Sequence, residues 1–355
     1  MGDVLPALDR LALAVAHLPG QGGCPEAGEV WYEVVAGDDG SVAVALGEAV
    51  DARVARLLRH AAAGLDPADR GPAATLECLD RTVRAMPDSA GATALCVTLE
   101  PGGVVRWCAA GHTPPLVAGP DGARYLDGGQ SGPLGRAGRP AVVEETLPAG
   151  TTVVLSSCGP ADDGADPVAT ALADHHELAP ASLAQALADD VGAAADAPGR
   201  VLLLARVTPA PLEQRLPADA RRLSALRRTV AAWSAQAALS DDAAADLQLM
   251  LSEAATNAVE HAYRSTETGE FVYSVRRRPD AAVRVVVQDF GRWRPPPDDP
   301  GYRGRGLAVI HNLAEEVSLD FSDEGTRIAF TVPSDLPPLG ARPLKGVTQG
   351  WAPDR

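Results

Sequence analysis

The sequence predicts an α+β fold arranged as two successive layered domains. A length of 355 residues exceeds what one ordinary hydrophobic core organises, and it suits two domains. In the first half, hairpins of short strands surround two long helical segments. In the second half, two long helical segments precede a group of strands and one further helix. Strand pairs combined with paired helices are typical of layered α+β domains.

Composition and charge exclude several classes of function. The formal net charge of −16 disfavours direct nucleic-acid binding and docking on an anionic membrane, because both need a basic surface. No apolar run reaches the ~18 residues of a membrane span, and the N-terminus lacks a secretion signal. These features predict a cytoplasmic protein. The five cysteines indicate neither a zinc site nor a disulfide framework, and Cys96 and Cys108 lie in apolar runs that predict buried free thiols.

The first half is predicted to be a set of strand pairs around two helices. Its strands are short apolar runs bounded by Gly- and Pro-rich turns, such as the Gly-Asp-Asp-Gly turn at 37–40. Apolar residues spaced by three and four indicate the helices. The predicted strands are 30–36, 41–46, 92–99, 104–109, 116–118, 142–147, 152–155 and 201–207, and the predicted helices are 52–63, 72–86, 167–173 and 181–190.

Six short motifs of this half occur in an order that one enzyme family shares. They are G-E-V-W-Y-E (28–33), G-E-A-V-D-A-R (47–53), G-A-T-A-L (91–95), A-G-H-T-P-P-L (110–116), G-P-L-G (132–135) and L-S-S-C-G (155–159). Together they resemble the bacterial metal-dependent PPM-type serine/threonine phosphatases, in the branch that regulates sporulation and stress sigma factors. The resemblance covers residues 20 to 207, and it implies a domain at 1–207 folded as an α-β-β-α sandwich.

This half departs from the family at the positions that would hold metal ions. In the first motif, Val30 and Glu33 stand where the family has two aspartates. Glu48 stands at the aspartate of the second motif, and Cys158 stands at that of the third. The last motif, an aspartate pair before the closing strand, is replaced by Gly199–Arg200, and Asp196 lies a little too early in the chain to match it. At each of these four motifs, the residues present therefore differ from the metal ligands of the family.

The replaced residues suit a pair of hard cations poorly. Two divalent ions about ~4 Å apart need several oxygen ligands, a thiol binds Mg²⁺ or Mn²⁺ weakly, and an arginine repels both. We therefore predict a pseudophosphatase domain. An alternative keeps one weakly bound metal on Glu33 and Glu48, which would leave a divergent phosphatase. His112 is expected to be a loop histidine that shapes the fold rather than a metal ligand.

The second half centres on one helix, LSEAATNAVEHAY at 251–263. Glu253 and Asn257 are four residues apart and share a face, and His261 lies one turn further along. A carboxylate and a carboxamide on a partly apolar helix are costly to bury without partners. A Mg²⁺ ion and a nucleotide would supply those partners. The alternative is an exposed helix whose asparagine is satisfied locally.

The rest of this half is predicted from turns and periodicity. A stiff linker at 208–211 precedes it, and a disordered Pro- and Gly-rich tail at 334–355 follows it. Residues 292–303 are expected to form a lid loop. The predicted strands are 212–216, 271–276, 283–288, 317–321 and 326–332, and the predicted helices are 217–238, the central helix and 304–315.

Four separated motifs occur in this half in a fixed order. They are E-x-x-x-N-A-x-x-H-A (Glu253, Asn257, His261), D-x-G (Asp289, Gly291), G-x-G-L (Gly304, Gly306, Leu307) and G-T (Gly325, Thr326). This order resembles the GHKL ATP-binding superfamily and, within it, the anti-sigma-factor serine kinases. The resemblance covers residues 212–333, and it implies a two-layer α/β sandwich of the Bergerat type.

The resemblance implies a role for each motif at an ATP site. Asn257 would offer its amide oxygen to Mg²⁺, and Glu253 would be the general base. Asp289 would accept a hydrogen bond from the adenine amino group. The remaining expected contacts are those of His261, Gly291, Gly304, Arg305, Gly306, Leu307, Gly325 and Thr326 with the nucleotide, where the glycines let the backbone approach closely and Thr326 contacts adenine. Arg303 or Arg305 would neutralise phosphate charge, or would be solvated lid residues.

These features predict an ATP-dependent protein serine/threonine kinase fused to a pseudophosphatase regulatory domain. The resemblance implies that its substrate is a STAS-type anti-sigma-factor antagonist and that a sigma factor is a further possible partner. It also implies a possible homodimer through the ATP domain. Two alternatives stay open, which are a bifunctional kinase and phosphatase and a non-catalytic protein that binds ATP only to set its shape.

Overall fold

The computed structural model divides the chain into two groups of sheets and helices, as an α+β fold requires. It describes residues 8, 10–18, 28–64, 67–86, 91–119, 121–136, 138, 141–157, 166–192, 200–263, 269–278, 282–291, 305–322 and 325–333. Within these ranges, no helix combines the length and the apolar character that crossing a membrane requires.

The N-terminal domain is a sandwich of two sheets, each covered by a pair of helices. One sheet holds β2 (Glu29–Ala36), β3 (Val42–Ala49), β4 (Ala94–Leu99), β5 (Val104–Ala110) and β8 (Gln130–Ser131), with β9 (Val143–Thr146) beside β5. The other runs in the order β1 (Leu11–Leu18), β11 (Arg200–Val207), β10 (Thr152–Ser156), β6 (Leu116–Gly119) and β7 (Gly122–Tyr125). The helices are α1 (Ala52–Ala63), α2 (Pro67–Arg84), α3 (Pro167–His175) and α4 (Pro180–Gly192).

The N-terminal domain has three hydrophobic cores, and alternating side chains of one strand contribute to two of them. On β3, Val44 and Leu46 belong to the core between the sheets, whereas Ala45 and Ala49 belong to the core under α1 and α2. Successive side chains of a strand point to opposite faces, so one strand serves both layers. A third core packs α3 and α4 against the second sheet. The predicted α-β-β-α sandwich is confirmed.

Several elements differ from the predicted ones. Strand β1 was not predicted, because a short apolar run such as LALAVAHL carries no clear period of its own. Its antiparallel pairing with β11, from Leu11 opposite Val207 to Leu18 opposite Arg200, gives it its structure. Helix α2 spans Pro67–Arg84, but Gly71 interrupts it with a φ of 61°. The segment after the break begins at residue 72, as predicted, and the helical turn before it was not predicted.

The C-terminal domain has two layers, one sheet and one group of helices. The strands are ordered β12 (Leu212–Pro217), β13 (Glu270–Arg277), β14 (Val283–Asp289), β16 (Gly325–Val332) and β15 (Glu315–Ser322). The helices are α5 (Ala220–Gln236), α6 (Asp241–His261) and α7 (Arg305–Leu313). One core joins them, with Leu247 and Leu251 of α6 fully buried against Phe271 and Val285 of the sheet. The predicted two-layer sandwich is confirmed.

Two boundaries of this domain are set by local backbone chemistry. Helix α5 begins at Ala220 rather than at residue 217, because the Asp219 side chain accepts the N–H of Arg221 and caps the helix there. Strand β15 begins two residues before the predicted strand. Its second residue, Glu316, has a φ of 50° where the pairing register with β16 shifts. A shift of this kind cannot be recognised from hydrophobic alternation.

The segment predicted as a stiff linker is buried in its first half, at Thr208 and Pro209, and exposed in its second half, at Ala210 and Pro211. Thr208 is fully buried, and its N–H donates to the carbonyl of Arg10 at 3.0 Å. The indole N–H of Trp233 on α5 donates to the carbonyl of Ala210 at 2.8 Å. Contacts of this kind tie the segment to both neighbouring groups of elements and restrict its conformation.

The Ser240 cap should contribute measurably to the stability of the C-terminal domain. Its side-chain oxygen accepts the N–H of Ala243 at 3.2 Å at the start of α6. We expect Ser240→Ala to lower the free energy of unfolding by about 1 kcal/mol, because an N-cap hydrogen bond is lost. Urea denaturation followed by circular dichroism measures this change. The Ser240→Asp control keeps a capping oxygen and should stay within about 0.5 kcal/mol of the wild type, and equal losses in both variants would contradict a capping role.

Candidate functional site

Helix α6 places the two central polar residues at the edge of its buried face. Ala254 and Ala258 are almost fully buried against the sheet, and Glu253 and Asn257 beside them are half-buried. His261 is the last residue of the helix and is exposed. The shared face that the spacing predicts is therefore present, and it lies between the core and solvent. A ligand could reach both Glu253 and Asn257 from the open side.

One end of the site is formed where α6 meets the start of α7. A Cβ atom added to Gly306 would lie 2.6 Å from Oε2 of Glu253. The Glu253 carboxylate therefore lies directly against the first turn of α7, where backbone N–H groups have no helical acceptor. Such N–H groups and the positive end of the helix dipole suit an anionic group such as phosphate.

The other end of the site is the turn that follows β14. Asp289 is only 6% exposed, and its Oδ1 accepts the N–H groups of Gly291 and Thr326, both at 3.1 Å. Burial raises the pKa of Asp289, and the hydrogen bonds from Thr326 and Gly291 act in the opposite direction. The carboxyl is therefore held in one orientation beside the first residues of β16.

The glycines around this turn permit close backbone packing. A Cβ at Gly291 would lie 2.0 Å from the carbonyl oxygen of Ala262, just after α6. A Cβ at Gly325, whose φ is 128°, would lie 2.0 Å from the carbonyl oxygen of Asp289. The sequence predicts that Gly291 lets the backbone approach the adenine base. The structure shows a second need for glycine at this position, because any side chain would separate the turn from the end of α6.

The structure brings six of the predicted residues together in two clusters, which are the two ends of the candidate site. Asp289, Gly291, Gly325 and Thr326 form one cluster, and Glu253 and Gly306 form the other. Leu307 is 37% exposed in the first turn of α7. The following predicted positions lie outside the described residues: Gly304, Cys158, Asp196, Gly199, the lid 292–303 with Arg303, the tail 334–355, and the side chains of Arg200 and Arg305.

Tyr263 is a residue of this region to which sequence reasoning gave no role. Its hydroxyl accepts the N–H of Phe290, in the middle of the Asp289–Gly291 turn, at 2.9 Å. The same hydroxyl donates to the carbonyl of Glu270 at the start of β13. No motif marks it, and its place two residues after the last motif histidine is the only signal that the sequence carries.

The register of the N-terminal sheet separates the two glutamates that could have shared a metal ion. Glu48 pairs with Val30, and Glu33 pairs with Ala45. Directly opposed residues share a face and strands alternate, so Glu48 faces the layer between the sheets and Glu33 faces the helices. Glu33 forms an ion pair there with Arg59 of α1 at 2.8 Å. The two carboxylates cannot hold one ion together, so the expected alternative of a metal on Glu33 and Glu48 is wrong.

Other acidic and thiol groups near this region do not complete a metal site. Asp51 accepts the N–H of Val54 and caps α1. Cys96 and Cys108 are buried free thiols opposite each other on β4 and β5, as predicted, and burial raises the pKa of both. Across the described ranges, no three His, Cys, Asp or Glu side chains are grouped closely enough to hold a metal ion.

His112 is a buried loop residue. It is 7% exposed, and its Nδ1 lies 3.1 Å from the carbonyl of Thr113. Burial lowers its pKa, which favours the neutral imidazole at pH 7. These properties agree with the expected fold-shaping role.

Each half of the chain matches the model of a known protein family. Residues 216–332 match the histidine kinase-like ATPase domain, and residues 41–204 match stage II sporulation protein E (SpoIIE). The serine-protein kinase RsbW of Staphylococcus aureus (strain MSSA476) is 27% identical over an alignment of 135 residues, and the match covers 34% of this chain and 84% of that protein. RsbW of Staphylococcus epidermidis is 29% identical over 134 residues, with the same coverage.

One solved structure is similar to this chain over nearly its whole length. The RsbU and RsbW domains of Rv1364c from Mycobacterium tuberculosis share 25% sequence identity with this chain, with a TM-score of 0.53. The match covers 98% of this chain and 99% of that one. The order of the two domains is therefore the same in both proteins.

Asp289→Asn should separate the structural role of this side chain from nucleotide recognition. Asparagine keeps an oxygen for the N–H groups of Gly291 and Thr326, but it replaces the carboxylate by an amide that repels the adenine amino group. We expect the affinity for Mg-ATP to fall by about tenfold or more, with a small change in unfolding temperature. Isothermal titration calorimetry and thermal unfolding measure the two effects.

The matched control for this substitution is Asp320→Asn, because Asp320 is exposed on the edge strand β15. It should leave the affinity unchanged. Burial raises the pKa of Asp289, so this carboxyl is protonated at a higher pH than an exposed aspartate. As the pH falls, the affinity of the wild-type protein for Mg-ATP should therefore begin to weaken at that higher pH. Unchanged affinity in Asp289→Asn would exclude this carboxyl from base recognition.

Proposed function

We propose that this chain, which joins a SpoIIE/PPM-type phosphatase domain to a histidine kinase-like ATPase domain, is a protein serine/threonine kinase of a sigma-factor partner-switching pathway. Its substrate would be a Ser or Thr of a STAS-type anti-sigma-factor antagonist, and it would act in the cytoplasm. The observation that carries the proposal is the placement of two clusters along α6, the buried Asp289 turn and the Glu253–Gly306 contact. The surface between these clusters would bind the nucleotide, and it is called the groove below.

The spacing of the two clusters suits ATP. The cluster at the base end contacts Ala262, just after α6, and the cluster at the phosphate end contains Glu253. The two positions are nine residues apart, which is about 14 Å along a helix at 1.5 Å per residue. That span is on the scale of an extended nucleoside triphosphate. Asn257 lies between the two ends, on the same side as Glu253.

The side chains and backbone N–H groups of the groove suit Mg-ATP. When bound, the nucleotide would supply the phosphoryl group that is transferred. The Asp289 carboxyl and the Thr326 hydroxyl would bind the adenine edge. Asn257 would hold the metal ion through its amide oxygen, which is a hard ligand of the kind that Mg²⁺ prefers. The N–H groups at the start of α7 would bind the phosphates.

Glu253 is the residue that would take the proton of the substrate hydroxyl. Its carboxylate is half-buried and lies against Gly306, so it is held next to the proposed phosphate end. A general base must lie within hydrogen-bond reach of the hydroxyl that attacks. A protein substrate would need to place its Ser or Thr side chain above the first turn of α7.

The SpoIIE/PPM-type domain would act as a pseudophosphatase that binds partners or regulates the kinase. The opposed faces of Glu33 and Glu48, the Glu33–Arg59 ion pair and the valine at position 30 support this role. A sigma factor as a direct partner and a homodimer through the ATPase domain are further parts of the proposal that rest on family resemblance alone.

A pair of variants tests the kinase directly. Asn257→Ala should weaken Mg-ATP binding by about tenfold or more, because the metal ligand is lost. Glu253→Gln should keep the binding but lower phosphate transfer by about 10²–10⁴-fold, because the base is lost. Calorimetry with Mg-ATP measures the first effect, and transfer of labelled phosphate to a recombinant STAS-domain antagonist measures the second.

The controls for this pair are two other acidic residues of α6, the exposed Glu260 and the half-buried Asp246. Glu260→Gln and Asp246→Asn remove a negative charge from the same helix without changing Glu253 or Asn257, and both should behave as the wild type. Absence of Mg-ATP binding in the wild-type protein would overturn the proposal. Tight binding without transfer to any antagonist would favour the non-catalytic ATP-binding alternative.

The pseudophosphatase assignment predicts no manganese-dependent dephosphorylation by this chain. Phosphorylated antagonist is incubated with Mn²⁺ and the Glu253→Gln variant, so that the kinase does not obscure the result. We expect no release of phosphate above that of the metal-free sample, because the ligand set for two cations is incomplete. Release that requires Mn²⁺ and disappears in Glu48→Gln would establish the bifunctional alternative instead.

A further inference from the structure

Tyr263 connects three separate segments at the base end of the groove. It follows the last turn of α6, and its hydroxyl accepts the N–H of Phe290 at 2.9 Å and donates to the carbonyl of Glu270. A tyrosine hydroxyl has one hydrogen to donate and lone pairs to accept. One side chain therefore joins the end of α6, the Asp289–Gly291 turn and the first residue of β13.

The ring of Tyr263 is seated against a glycine. A Cβ atom on Gly269 would lie 2.3 Å from the ring carbons of Tyr263. Any larger residue at position 269 would therefore displace the ring. The position of the hydroxyl is thus set at both ends, by the end of α6 and by the glycine that precedes β13.

The Phe290 N–H is the middle donor of the turn and has a different partner from its neighbours. The N–H of Gly291 and that of Thr326 both bond to the Asp289 carboxyl, which ties the turn to β16. The Tyr263 hydroxyl ties the same turn to α6, beside the close contact of Gly291 with Ala262. Without it, no side-chain hydrogen bond between described residues would join the turn to the helix.

The same turn is braced from the opposite face of the sheet. The guanidinium of Arg215 on β12 lies 5.0 Å from the centre of the Phe290 ring, which is 43% exposed. Arg215 also forms an ion pair with Glu270 at 3.1 Å. Glu270 therefore accepts a hydrogen bond from Tyr263 at its carbonyl and forms an ion pair with Arg215 at its carboxylate. Both contacts fix the distance between β13 and the turn.

We infer that Tyr263 is a positioning residue for nucleotide binding, one that sets the distance between the base end and the phosphate end of the groove. Asp289 would contact the base from the turn, whereas Asn257 and Glu253 would act from α6. Tyr263 is the hydrogen-bonded link between those two elements. The inference rests on the proposed ATP site, and it predicts an effect on binding rather than on the chemical step.

The test is Tyr263→Phe, which removes the hydroxyl and keeps the ring. We expect the Kd for Mg-ATP to rise by about threefold to tenfold, because two hydrogen bonds at the turn are lost. The transfer rate at saturating Mg-ATP should stay within about twofold of the wild type, since Glu253 and Asn257 are untouched. Hydrogen exchange of the Phe290 amide in the nucleotide-free protein should become faster.

Two further variants make the result specific. Tyr273→Phe removes a hydroxyl that bonds to Gln214 at 2.8 Å in the same domain, and it should leave the Kd unchanged even if the unfolding temperature falls. Gly269→Ala keeps the hydroxyl but displaces the ring, and it should raise the Kd as Tyr263→Phe does. Agreement between Gly269→Ala and Tyr263→Phe would exclude a generic effect of deleting a hydroxyl.

The outcomes separate this inference from the proposed function. Wild-type binding of Mg-ATP together with an unchanged Kd in Tyr263→Phe would overturn the positioning role alone. A lower transfer rate at saturating Mg-ATP with an unchanged Kd would also overturn it. Absence of Mg-ATP binding in the wild type would overturn the proposed function and this inference together.

Discussion

The buried carboxyl of Asp289 holds the end of β14 against the start of β16. One of its oxygens accepts two backbone N–H groups, which would otherwise be buried donors without partners at a chain turn. Burial of a carboxylate is costly, and its raised pKa records that cost. The hydrogen bonds offset it, so the turn has one conformation. Tyr263 and the close approach of Gly291 then fix that turn against α6.

Helix α6 is the element that joins the two ends of the proposed groove. Its buried face is made of alanine, leucine and methionine, so it packs closely on the sheet and cannot rotate without opening the core. Glu253 and Asn257 lie at the border of that face, where they are rigid and yet reachable by a ligand. A catalytic arrangement needs this combination, because loosely held groups lose most of their positional advantage.

The layered core of the N-terminal domain is formed by apolar residues on both faces of its first sheet. Strands β2, β3, β4 and β5 each contribute residues to two cores, so their apolar pattern is constrained on both faces. The position opposite Glu48 is Val30, which packs with the layer between the sheets rather than offering an oxygen ligand. The Thr208–Arg10 and Trp233–Ala210 hydrogen bonds attach the segment between the two domains to both of them.

The patterns of the sequence predicted the α+β class and most of its strands and helices, whereas the two sandwiches and the role of the four C-terminal motifs followed from resemblance to two families. Hydrophobic periodicity and the local chemistry of glycine turns and helix caps act over a few residues and can be recognised without contacts. Tertiary structure decided the rest. Strand β1 depends on pairing with β11, which lies far along the chain, and the separation of Glu33 from Glu48 depends on register. The link from Tyr263 to Phe290 joins residues 27 positions apart. Such relations depend on which segments meet in space, and local sequence patterns do not carry that information.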